Sequence, residues 1–262
     1  MSSSNPSLRS ASLSHALINL WRIPTLTVAR FTLKSYIRSG WILGDIVVIW
    51  LLYAAFFLEF GGNVKYFYDT AGQGLYALAI LSTIVMTQRA MQARVYLPLA
   101  RLSSRSAYVQ GVILATGLLR IPTFLLMLLL AAGYHTHIPI LGIQGATVSN
   151  MLPGVLGLLL NCIVLSTLTV VLSIPIATRR IQIVFLAWLA VVLYSNGSPA
   201  LIAQYLAVTR LPLAPFAACH SFGATGVIDG YGLVMVILEV GYIVGLTLLA
   251  DFWLRKRDLI LL

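Results

Sequence analysis

Acidic residues are scarce in this chain: Asp and Glu together number seven in 262 residues, and charged residues of both signs make up only 9%. A soluble globular domain carries charge at roughly a quarter of its positions, so the shortage excludes a chain that clothes itself in polar surface. It also leaves a hydrolytic metal centre poorly supplied. The sequence has no H-E-x-x-H, no G-x-S-x-G and no paired acidic motif, which argues against a membrane protease or a lipid-modifying transferase. It has no G-x-x-x-x-G-K-[ST] to cradle phosphates, and no internal repeat of the kind that marks inverted-repeat carriers. Only two cysteines occur, Cys162 in an apolar run and Cys219 in a polar one. Lying at different depths, they are not expected to pair.

What the chain has instead is apolar residues, 60% of the total, with a mean hydropathy of +0.94. Crossing a hydrocarbon core of about 30 Å takes roughly 20 residues of helix, and six runs approach that length. They are Trp41 to Leu58, Gly72 to Thr87, Ala107 to Ala132, Met151 to Ala177, Ile181 to Tyr194 and Gly232 to Ala250. The second and fifth are short. The fold class expected is therefore an all-α integral membrane protein with six spans, residues 41–250, between a tail at 1–24 and a tail at 251–262.

Ahead of the first span, after Pro24, residues Thr25 to Ser39 place Leu26, Ala29, Leu33, Tyr36 and Ile37 on one helical face and Arg30, Lys34 and Arg38 on another. Such a segment is too short and too basic to span. It suits an amphipathic helix over 25–40 lying in the headgroup layer, with Trp41 anchoring the next turn. The Ser-rich stretch Met1 to Leu20 has no acidic residue and no unbroken apolar core; it is expected to be a disordered cytoplasmic tail rather than a signal or transit peptide.

The net charge of +10 would suggest nucleic acid in a soluble domain, but here the cations lie between apolar runs and report topology. Arg9, Arg22, Arg30, Lys34 and Arg38 precede span one. Arg89, Arg94, Arg101 and Arg105 crowd the loop from Gln88 to Ser106, Arg179 and Arg180 follow span four, and Arg255, Lys256 and Arg257 close the chain. Only Lys65 and Arg210 fall on the opposite side, with Arg120 inside a span. Short loops rich in arginine stay cytoplasmic, so both termini are expected inside. The long outer segment Ser195 to Tyr231 holds two apolar pieces, Leu201 to Val208 and Leu213 to Ala218, too short to cross and expected as short outer helices between spans five and six.

This architecture resembles the permease subunit of type-2 ABC exporters. Two patches carry the likeness in sequence: Leu97-Pro-Leu-Ala-Arg-Leu-Ser-Ser-Arg105 before span three, and the ending Phe252-Trp-Leu-Arg-Lys-Arg-Asp-Leu259. The resemblance implies a plasma-membrane subunit that exports a substrate by alternating access, in a homodimer or a heterodimer with a second permease. An ABC ATPase subunit, a separate chain, would use ATP and Mg and push on the loop through Arg89, Arg94, Arg101, Ser104 and Arg105. This chain itself would bind no cofactor, touch membrane lipid and no nucleic acid, and catalyse nothing. A lipid-acting membrane enzyme and a stand-alone channel or carrier are the alternatives.

Charges inside a span cost on the order of 2.5–3.5 kcal/mol at a helix centre. Asp45, Arg120 and Glu239 fall in spans one, three and six. Arg120 and Glu239 lie at similar depth and are expected to form a buried ion pair, with substrate contact as the alternative; Asp45, shallower, is expected to meet Arg38 or Arg105. Pro122 and Pro175 are expected to bend spans three and four. Asn161, Ser166 and Thr167 are expected to bond neighbouring helices or line a polar path, and Gly241 with Gly245 to mark a close helix contact. His135, His137, Cys219 and His220 are read as ordinary interfacial residues rather than a metal site.

Overall fold

In the computed structural model of the chain, residues 24–57, 64–90, 105–133, 148–173 and 214–256 are described, and within them every regular element is a helix. In chain order these are α1 (Pro24–Arg38), α2 (Trp41–Phe57), α3 (Val64–Ala90), α4 (Arg105–Gly133), α5 (Val148–Ser173), α6 (Ala214–Thr225) and α7 (Gly230–Lys256). Four of them, α3, α4, α5 and α7, are long and apolar enough to cross a membrane, and α1 with α2 makes up to a fifth if that bent pair is counted as one span. Lipid offers no hydrogen bonds to the backbone, so helices that satisfy their own peptide groups are what such apolar sequences must form. The run Ile181 to Tyr194, expected as span five, lies outside the described residues, as do Pro175, His135 and His137.

The second span is longer than its apolar run. Helix extends from Val64 to Ala90, 27 residues, against the expected start at Gly72. Hydropathy hides the first two turns because Lys65, Asp69 and Gln73 interrupt them. They are nevertheless helical and partly buried, since Phe67 and Tyr68 pack into the main core and Asp69 meets a histidine from α6.

Between α1 and α2 the chain turns through 71°. Gly40 makes the turn possible with φ of 78°, a left-handed conformation that costs glycine little. The Gly40 amide donates to the Ile37 carbonyl and the Ser39 hydroxyl caps the Tyr36 carbonyl at 2.6 Å. The α1 surface that packs inward holds Val28, Ala29, Thr32 and Tyr36, close to the face read from the sequence, although Ile37 is half exposed. Val28 sits against Gly111 of α4, where any larger residue would collide with it.

Three regions of core result. One surrounds Tyr53, Phe67, Tyr68, Tyr76, Phe124, Leu158 and Phe216, joining α2, α3, α4, α5 and α6; a second gathers α1 against α3 and α4 through Ala29, Tyr36, Met86, Ala115 and Leu119; a third joins the Ala90 end of α3 to α1, α4, α5 and α7 through Val28, Val112, Val170 and Ala250. Helix α7 stands at the edge: 17% of its most apolar stretch is buried, against 50–56% for the other three long helices. Its exposed side chains, among them Leu233, Ile237, Val244 and Leu248, suit lipid tails. A methyl group at Gly241 or Gly245 would meet nothing within 4 Å, so that pair makes no close contact with the described residues. Pro122 stands inside α4 without ending it, and the Thr123 hydroxyl next to it bonds the Leu119 and Arg120 carbonyls.

Candidate functional site

The buried polar side chains collect in two clusters within the bundle. The first lies where α1, α2, α3 and α4 meet. Arg120 is 2% exposed; its Nη2 donates to Ser82 Oγ of α3 at 2.7 Å and its Nε to the Thr116 carbonyl of its own helix at 3.2 Å. Asp45 of α2, also buried, accepts the Tyr36 hydroxyl of α1 at 2.8 Å, and the Arg120 charge acts on both members of that pair. These two side-chain bonds tie α4 to α3 and α1 to α2, and no hydropathy pattern announces either.

These contacts correct two expectations. Arg120 and Glu239 form no ion pair, because Arg120 turns toward α3 while Glu239 of α7 sits beside the Cys219 thiol of α6. Neither Glu239 oxygen has a hydrogen-bond partner of ordinary geometry. Similar depth in two spans says nothing of the direction each side chain leaves its helix, and here the directions differ. Asp45 likewise bonds Tyr36, nine residues earlier, rather than Arg38 or Arg105.

The second cluster seats α6, a helix of 12 residues, among α3, α5 and α7. Small residues allow the approach: a methyl group at Gly157 of α5 would strike the Cys219 carbonyl oxygen, and Tyr68 of α3 fills the space beside Gly154 and Gly223. Within the seat a chain of hydrogen bonds runs from the surface to the interior. Asn161 Nδ2 of α5 donates to the Phe216 carbonyl at 3.1 Å and to Tyr76 Oη at 2.8 Å. The Tyr76 hydroxyl, having accepted that bond, has its proton to give to His220 Nδ1 at 3.0 Å. His220 therefore carries its hydrogen on Nε2, 3.3 Å from Asp69 Oδ1 at the half-exposed end of the chain. Burial pushes the His220 pKa down, and the Asp69 carboxylate opposes this only in part, which agrees with a neutral imidazole. Burial and the Glu239 carboxyl push the Cys219 thiol up, so it is no thiolate.

Of the residues expected to meet an ATPase, Arg89 closes α3 and is half-buried; Arg94, Arg101 and Ser104 lie outside the described residues, and Arg105 opens the backbone of α4. Asn161 bonds neighbouring elements as expected, whereas the Thr167 hydroxyl returns to the Ile163 carbonyl of its own helix and Ser166 is buried without a partner. Cys219 and His220 are adjacent in α6, and among the described residues no three His, Cys, Asp or Glu side chains come together as metal ligands. Ser82, Tyr76 and Asp69 were not singled out from the sequence, and Tyr36 only as part of the apolar face of α1. No protein-family model and no curated protein matches the chain.

Proposed function

We propose that the chain is the membrane-spanning permease subunit of an ATP-driven ABC exporter of the type-2 class. The observation that carries this reading is how the two ends of the arginine-bearing stretch 88–106 are tied to the bundle. Helix α3 ends at Ala90, α4 begins at Arg105, and the Tyr108 hydroxyl of α4 bonds the Ala90 carbonyl. A push on the stretch would reach α3 and α4 together, pass to α1 through Val28 and Gly111, and reach α2 through Tyr36 and Asp45. That is the linkage needed to convert closure of an ATPase into tilting of spans.

In this proposal α1 lies in the cytoplasmic headgroup layer, where a basic helix bent 71° from the first span is at home. Ile181 to Tyr194, outside the described residues, is read from its apolar run as the fifth of six spans, both termini are cytoplasmic by the distribution of arginine and lysine, and the membrane is the plasma membrane. Helix α6 is an outer, non-spanning helix before the last span, as its 12 residues require. Two permeases, identical or related, would enclose the path, and ATP and Mg would be bound by a separate ATPase subunit. The experiment is affinity purification of the full chain from its own membrane. A stoichiometric ATP-hydrolysing subunit is expected, and its reproducible absence would overturn the reading.

A further inference from the structure

Arg89 occupies an unusual position at the Ala90 end of α3. Its Nε is buried and has no hydrogen-bond partner, although a buried unpaired donor on a permanently charged group is costly. Helices α1, α4 and α5 have no Asp or Glu, and Asp45 is held by Tyr36. Beside the guanidinium is a notch lined by Phe31, Thr32, Ser35 and Tyr36 of α1 with Met86 and Ala90 of α3. Its volume is about 10 Å³, room for one oxygen-sized group and too little for an amphiphile's whole headgroup.

We infer that this notch receives a phosphate oxygen of an anionic lipid, with Arg89 as the main donor and the Ser35 and Thr32 hydroxyls beside it. The chemistry fits on three counts. Arginine is the side chain best matched to phosphate oxygens. One turn along α1 from Ser35, Arg38 adds an exposed cation, and Lys34 adds another, so the rim favours a lipid with net negative charge over a zwitterionic one. Phe31 of the lining is about half exposed, offering apolar surface to the glycerol and upper acyl region. The lipid would thereby complete the joint between α1 and α3. The inference needs only that the helices cross a membrane, so it stands or falls separately from coupling to an ATPase.

The test is lipid retention by the full chain, purified from vesicles containing phosphatidylglycerol and phosphatidylcholine and analysed by native mass spectrometry. Wild type is expected to keep phosphatidylglycerol in preference to phosphatidylcholine. Arg89→Gln should lower that retention about tenfold, the worth of a charge-assisted hydrogen bond. Arg89→Lys, which keeps the charge but lacks the buried Nε–H, should fall between the two. If Arg89→Lys matched wild type, bulk charge alone would explain retention and the site would be disproved; the same follows if Arg89→Gln retained the lipid fully. Displacement by millimolar orthophosphate would assign the notch to a free anion instead. Should Arg89→Gln fail to fold by circular dichroism, the pair Thr32→Val with Ser35→Ala serves in its place, with a several-fold loss expected and an unchanged preference counting against the proposal.

Discussion

Tyr36 gives its hydroxyl hydrogen to Asp45 Oδ2 at 2.8 Å, and that bond closes the 71° angle between α1 and α2. The carboxylate is buried, so the tyrosine is both its solvent and the clasp of the bend. Tyr36→Phe would leave Asp45 without its donor and is expected to destabilise the folded chain by about 1–3 kcal/mol. Asp45→Asn keeps an acceptor oxygen and should cost less. Thermal unfolding in detergent, followed by circular dichroism, ranks the two; equal stability of Tyr36→Phe and wild type would refute the clasp.

Arg120 and Ser82 are bonded, whereas Arg120 and Glu239 are not. Double-mutant cycles separate the cases. Arg120→Met combined with Glu239→Gln should be additive within about 0.5 kcal/mol, as for residues sharing no contact. Arg120→Met combined with Ser82→Ala should show coupling of at least about 0.5 kcal/mol.

The neutral state of His220 makes the seat of α6 sensitive to acid. Its folded pKa is lowered, so below the unfolded value of about 6.5 the unfolded chain binds more protons, and stability falls as pH drops toward the folded pKa. Protonation also fills Nδ1, which then can no longer accept the Tyr76 hydroxyl. Unfolding temperature is expected to decline from pH 7.5 to pH 5.5, and His220→Gln should flatten that decline. A steeper slope in the variant would contradict it.

Close approach of α5 and α6 depends on Gly157, where a methyl group would meet the Cys219 carbonyl oxygen. Gly157→Ala is expected to destabilise by about 1–3 kcal/mol through overpacking. Gly241→Ala and Gly245→Ala, with open space around both, should leave the stability of the isolated chain unchanged within about 0.5 kcal/mol.

For the proposed coupling, reversing charge at Arg101 and Arg105 should leave ATP hydrolysis by the partner intact while transport of cargo is lost, with normal insertion. Loss of insertion, read by protease protection of the chain in vesicles, would mean that these arginines set topology and nothing more.

Most helices were legible because a long apolar run in lipid has one way to satisfy its backbone. Where hydropathy was diluted the limits slipped: Lys65, Asp69 and Gln73 concealed two turns of α3, though Phe67 and Tyr68 supply them with core contacts. The amphipathic period of α1 put Ala29 and Tyr36 on its apolar face, and the structure packs both inward. Nothing in that period revealed that Thr32 and Ser35 border a notch at Arg89, since a notch needs two helices.

By itself the sequence determined that the chain is a set of apolar helices and that Asp45, Arg120 and Glu239 stand within apolar runs. Tertiary structure alone decided the partners of those groups. Hydropathy records where a residue sits along its apolar run, and it puts Arg120 and Glu239 each near the middle of theirs. It does not record the rotation of one helix about its axis relative to the next. That rotation is set by packing small residues against large ones, Gly111 against Val28 and Gly157 against the backbone of α6, and it turns Arg120 toward Ser82 and Glu239 toward Cys219.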